Sequence, residues 1–141
     1  MTGRLIRVFC LGLRASGGQH WVAWLLLSPT VSEFFDSYGY GYETYSHLIA
    51  PTDTIIRENC IKLQNDITYF CGQYSLMFVY ERSRGISYED FMDNFSLNTS
   101  YNDWFVATYV NNLLTFRPYH NYNSSGNVLG CKRQCEVNKC L

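Results

Sequence analysis

Residues 20–27, His-Trp-Val-Ala-Trp-Leu-Leu-Leu, are almost wholly apolar and show no helical period. An aromatic and aliphatic run of that length, stopped by Ser28-Pro29, predicts a buried strand. Residues 31–36 predict a second strand, and the short Ser28-Pro29-Thr30 turn makes the pair a hairpin. Ser37-Tyr38-Gly39-Tyr40-Gly41 is a turn. Residues 43–50 predict a short helix ended by Pro51, residues 58–63 a third strand, and residues 64–70 a loop. Residues 72–84 predict a helix, apolar on most sides between Tyr74 and Tyr80 and therefore central, with Gly85 as its C-terminal cap. Ser87 with Asp90 approximates a capping box for another helix. Asn98 or Ser100 can cap a last one that runs to about Leu114.

The ends lack such patterning. Residues 1–16 show no clear period and read as an atypical lead-in. Residues 116–141 are polar and turn-rich and read as a loose, cysteine-containing tail. The expected fold is α+β: residues 17–115 form one core, a small antiparallel sheet packed on a central helix that begins at Cys71.

Composition narrows the function. A chain of 141 residues suffices for one hydrophobic core. Its net charge of −1 conceals eleven acids against four bases between Glu33 and Asp103, with basic excess at both ends. An acidic core does not read as a nucleic-acid-binding domain. Twelve Tyr and nine Phe suit half-buried strands and a substrate groove. No apolar segment reaches the length of a membrane span, and the six residues 8–13 fall short of a secretory h-region of about 7–15. Of six cysteines, Cys10, Cys60 and Cys71 are scattered in apolar neighbourhoods, which suggests free thiols and a reducing, intracellular compartment. Cys131, Cys135 and Cys140 cluster, but with His120 alone nearby they fit no standard zinc pattern, and neither a metal nor a cofactor is expected.

Cys71 opens an apolar helix, where free N–H groups and the helix dipole favour a thiolate. His20, Asp36 and Gln64 precede it in the order base, orienter and oxyanion donor. Each has an ordinary alternative: a structural cysteine, a strand-end histidine, a turn-forming aspartate, a solvated glutamine. The set as a whole carries the functional reading.

Gly17-Gly18-Gln19-His20-Trp21-Val22-Ala23, Phe34-Phe35-Asp36-Ser37-Tyr38-Gly39, Leu63-Gln64 and Cys71-Gly72-Gln73-Tyr74 occur in that order. Together they resemble the adenovirus maturation protease family (adenain), and more closely its relatives in Maverick/Polinton transposons, within the clan that holds the ubiquitin-like-protein proteases. The resemblance spans roughly residues 17–112 and implies a papain-like cysteine proteinase architecture. It implies His20 as general base, Asp36 as its orienter, Gln64 with the Cys71 N–H as oxyanion hole, and Cys71 as nucleophile. Trp21 matches an aromatic that walls a narrow channel over the scissile bond, and Gly72 leaves room for a substrate backbone. The implied activity is cleavage after small, Gly-rich sequences in capsid-like precursor proteins, in the cytoplasm, nucleus or virion. An activating peptide or DNA cofactor, and the oligomeric state, stay open.

Two alternatives accompany that reading. One is a deconjugase for a ubiquitin-like modifier, with the same chemistry and a different groove. The other is an inactive relic, because family members carry a longer folded segment before the histidine and residues 1–19 do not resemble it. On that reading the core is truncated at its N-terminus.

Overall fold

The computed structural model describes residues 5–13, 18–47 and 54–115. Strands β1 (Leu5–Leu13), β2 (Gly18–Ser28), β3 (Val31–Phe35) and β4 (Thr54–Glu58) form one sheet in that order. Helices α1 (Cys71–Ser83), α2 (Tyr88–Met92) and α3 (Thr99–Thr115) follow. The class is α+β, as the pattern predicts.

The β2–β3 hairpin forms with the expected turn, and its register pairs Ala23 with Phe35. Two expectations about the sheet are corrected. The sheet is mixed rather than antiparallel, because β3 and β4 run parallel. The third strand is Thr54–Glu58, not residues 58–63. A parallel return needs a long crossover, and the chain between β3 and β4 supplies it; it includes a 3-10 turn at Tyr42–Tyr45 where a helix over residues 43–50 was expected, residues 48–50 of which lie outside the described residues. Residues 59–63 run off the ladder instead: the N–H groups of Leu63 and Gln64 both donate to the Ser37 carbonyl, at 2.9 and 3.0 Å.

The lead-in expected at residues 1–16 contains a strand. β1 pairs antiparallel with β2 from Leu5↔Leu26 to Leu13↔Gly18. Strand pairing is a backbone interaction, so an aperiodic apolar sequence can take part in it. The tail at residues 116–141, with Cys131, Cys135 and Cys140, lies outside the described residues.

Alternation along the strands sorts two cores. Ala23, Leu25 and Phe35 face α1 and meet Tyr74, Met77 and Phe78, with Phe91, Val106 and Val110 from the later helices. The rings of Phe35 and Phe78 stack at 4.8 Å, and Phe91 sets its edge against both. Aromatic contacts of this kind stabilise by about 0.5–1.5 kcal/mol each beyond their buried area. On the other face Val22, Trp24 and Phe34 pack with Tyr45.

The helix ends match their sequence signals. Gly85, at φ 91, closes α1 in a Schellman arrangement, with Gly85 N–H on the Arg82 carbonyl and Ile86 N–H on that of Glu81. The Ser87 hydroxyl accepts from Asp90 N–H at 3.0 Å, and Asn98 Oδ1 accepts from Tyr101 N–H at 3.0 Å. α1 is buried along one broad face rather than all round: Leu76 is exposed. Among the described residues no helix is long and apolar enough to cross a membrane.

Candidate active site

Because β2 and β3 are antiparallel, the start of one and the end of the other lie at the same end of the sheet. His20 occupies the start of β2, and Asp36 directly follows β3. His20 Nε2 lies 2.6 Å from Asp36 Oδ1, and both side chains are buried. The carboxylate is held from every side. Oδ1 also accepts from Tyr38 N–H at 2.9 Å. Oδ2 accepts from Tyr40 N–H at 3.1 Å and from the Tyr45 hydroxyl at 2.9 Å. Asn59 brackets its backbone, taking the Asp36 N–H at 2.9 Å and donating to the Asp36 carbonyl. Gly39, at φ 71, makes this turn possible: a Cβ there would lie 2.6 Å from the backbone of Ile61.

Cys71 is the first residue of α1 and is buried. Phe70, the N-cap, makes no side-chain cap bond, so the first N–H groups of the helix are left for another acceptor. The thiol stands beside the imidazole. Burial pushes His20 down, but hydrogen bonding and charge from Asp36 and then Cys71 outweigh it and push it up to about 9. Among the described residues His20 Nδ1, the nitrogen not used by Asp36, is buried and has no partner within full hydrogen-bond geometry. Such contacts are often long in a resting enzyme and tighten when substrate binds.

Gln64 is fully buried in the loop before α1. Its amide orientation follows from its partners, because a hydroxyl can donate to the oxygen and a carbonyl accepts only from N–H. The Ser37 hydroxyl donates to Oε1 at 2.7 Å, and Nε2 donates to the Thr68 carbonyl at 2.8 Å. The Tyr38 hydroxyl lies 3.4 Å from the same Nε2. The loop is tied to α3 by Asp103, which accepts from the Thr68 hydroxyl at 2.7 Å and the Tyr74 hydroxyl at 2.8 Å.

The structure therefore brings His20, Asp36 and Cys71 together and places Gln64 beside them through Tyr38. Trp21 is half-buried, and strand alternation turns it to the face opposite His20; among the described residues its buried indole N–H has no partner. Gly72 is the second residue of α1 and half-buried. Cys60, read from sequence as apolar in setting, is exposed instead.

Sequence reasoning missed Tyr38, Tyr45, Asn59 and Asp103. Tyr38 lies in a turn two residues after the acid, and its ring centroid is 4.8 Å from that of His20. A tyrosine among turn-forming glycines was the available signal. Asn59 and Asp103 act over 23 and 35 residues of separation, which no local pattern encodes. Comparison with models of protein families, with curated proteins and with solved structures finds no match for this chain.

Proposed function

We propose that the chain is a cysteine endopeptidase of the adenain type, with the papain-like arrangement of that clan, and that it cleaves after small, Gly-rich sequences. The observation that carries this reading is the buried His20–Asp36 contact at 2.6 Å, with the second imidazole nitrogen open and the Cys71 thiol beside it at a helix start. A structural histidine has both nitrogens satisfied; a catalytic one keeps one for the proton in flight.

The mechanism follows from these positions. His20, kept protonated by its neighbours, pairs with the Cys71 thiolate. The sulfur adds to the substrate carbonyl; a C–S bond forms and the carbonyl π pair moves onto oxygen. The Cys71 N–H and a side-chain donor at the site stabilise that oxyanion. The intermediate collapses, the C–N bond breaks, and His20 gives its proton to the leaving amine. Neutral His20 then deprotonates a water that attacks the thioester, and the thiolate departs. Asp36 keeps Nε2 protonated throughout and so presents Nδ1 to the sulfur.

The preference for glycine and for capsid-like precursors of viral or transposon origin comes from the sequence motifs, not from a groove seen here. Hydrolysis of peptides spanning Gly-Gly junctions tests the reading. Turnover by the wild type, and its loss in Cys71→Ala and His20→Ala with folding retained, is the expected result. Equal turnover in either variant overturns it. Cleavage confined to fusions of folded ubiquitin-like modifiers would move the protein to the deconjugase branch.

A further inference from the structure

Three parts of the site meet at Tyr38. Its ring lies against His20 at 4.8 Å, its N–H donates to Asp36 Oδ1 at 2.9 Å, and its hydroxyl is 3.4 Å from Gln64 Nε2. The residue is half-buried, with the Tyr40 ring centroid 5.8 Å and Lys62 Nζ 6.0 Å from the centroid of its ring.

Gln64, by contrast, is fully engaged. Its oxygen takes the Ser37 hydroxyl, one N–H goes to the Thr68 carbonyl, and the Tyr38 oxygen lies within reach of the same nitrogen. A hydroxyl that accepts a hydrogen bond turns its own proton elsewhere. Burial, and then the charge of Cys71, pushes the Tyr38 phenol up to about 12, so it keeps that proton through the neutral range.

We propose that Tyr38 is a further catalytic residue: its hydroxyl donates to the oxyanion that forms when Cys71 adds to a peptide carbonyl, and Gln64 holds that hydroxyl in place. The inference rests on the thiol-peptidase reading of the same site. As the C–S bond forms and the π pair moves to oxygen, the Tyr38 O–H and the Cys71 N–H point at the developing charge. Tyr38 keeps its proton throughout, and in the acylation half-reaction the proton that moves is the one His20 delivers to the leaving amine. A neutral donor held at the point of charge development acts without reorganisation.

Tyr38→Phe keeps the ring on His20 and removes the donor. Its effect is read in three assays on the full chain: hydrolysis of a Gly-Gly peptide, inhibition by the matching peptide aldehyde, and alkylation of Cys71 by iodoacetamide. The aldehyde adduct carries an oxyanion, whereas alkylation forms none. Expected are a fall in kcat of roughly 10²–10³-fold, weaker aldehyde binding, and unchanged KM, alkylation rate and thermal midpoint. Unchanged kcat and aldehyde affinity in an otherwise active enzyme overturn the inference alone. So does an alkylation rate that falls as far as kcat, because Tyr38 would then act through the imidazole. A wild type that hydrolyses no peptide overturns the peptidase reading, and this inference with it.

Discussion

Two buried carboxylates stand three residues apart on the β3 segment, and they have opposite fates. Glu33 is fully buried on the α1 side and is met by Arg82 of α1 through two contacts, at 2.8 and 2.9 Å. Arg57 of β4 lies 3.5 Å from it and also pairs with Glu89. Asp36 is equally buried but is met by a histidine. A guanidinium cannot give up its proton, so the Glu33 pair is permanent and ties strand to helix. An imidazole can, and its other nitrogen has no partner in full hydrogen-bond geometry among the described residues. The same local burial thus serves as a rivet in one place and, on the proposed reading, as a proton-handling site in the other. The difference lies in the chemistry of the partner, not in the depth of the acid.

The two acids should separate in mutagenesis. Asp36→Asn should lower kcat by roughly 10²–10⁴-fold and change KM little, because its carboxylate fixes the imidazole tautomer rather than touching substrate. Steady-state kinetics on a Gly-Gly peptide read this; an unchanged kcat would make Asp36 a second rivet. Arg82→Met should do the reverse. It leaves Glu33 with Arg57 alone, at 3.5 Å, and should destabilise the fold by at most about 3–5 kcal/mol, while kcat per folded molecule holds. Urea unfolding measures the first, active-site titration the second.

The pH dependence sharpens the contrast further. Folded His20 titrates near 9 against an ordinary 6.5, so its contribution to stability is fully present below about pH 6.5 and is lost as pH rises through about 9. The shift sets an upper size of about 3 kcal/mol. Melting curves between pH 6 and 9.5 should show this decline in the wild type and lose it in His20→Gln. A decline that persists in the variant places its origin elsewhere. Peptidase activity should fall over the same alkaline range, as the imidazolium that protonates the leaving amine disappears.

A smaller effect is expected from Asp103→Asn. Its two oxygens accept from the Tyr74 and Thr68 hydroxyls separately, so an amide N–H₂ is accommodated only if the hydroxyl it faces turns its proton wholly to its second acceptor, the Leu63 or the Asn65 carbonyl. The expected cost is about 1–3 kcal/mol, with a lowered kcat because the loop carrying Gln64 loses its tie to α3. A kcat equal to that of the wild type would remove Asp103 from the site's support.

How far the sequence reveals this arrangement depends on the range of each interaction. The β2–β3 hairpin, the start of α1 at Cys71, the Gly85 stop and the Ser87 and Asn98 caps all follow from residues within a few positions of one another. His20, Asp36 and Cys71 were legible as a set because their residue types and order match a thiol hydrolase. β1 and the parallel β4 were not, since strand pairing is a backbone interaction and neither Leu5–Leu13 nor Thr54–Glu58 alternates apolar with polar residues. Glu33 hid for a related reason: its Arg82 partner is 49 residues away, so nothing near it signals a buried charge. Tyr38 was read as part of a turn, which it is, and the second role proposed for it depends on side chains from β2 and the Gln64 loop.

The most direct measurement uses the contrast between the described free thiols. Cys60 is exposed and Cys71 buried, so a non-specific electrophile should favour Cys60. A Gly-Gly peptide carrying a vinyl sulfone, followed by peptide mapping, should instead modify Cys71 in preference to Cys60, and His20→Ala should abolish that preference. Modification that tracks exposure, or labelling of Cys71 that is indifferent to His20, would contradict the account.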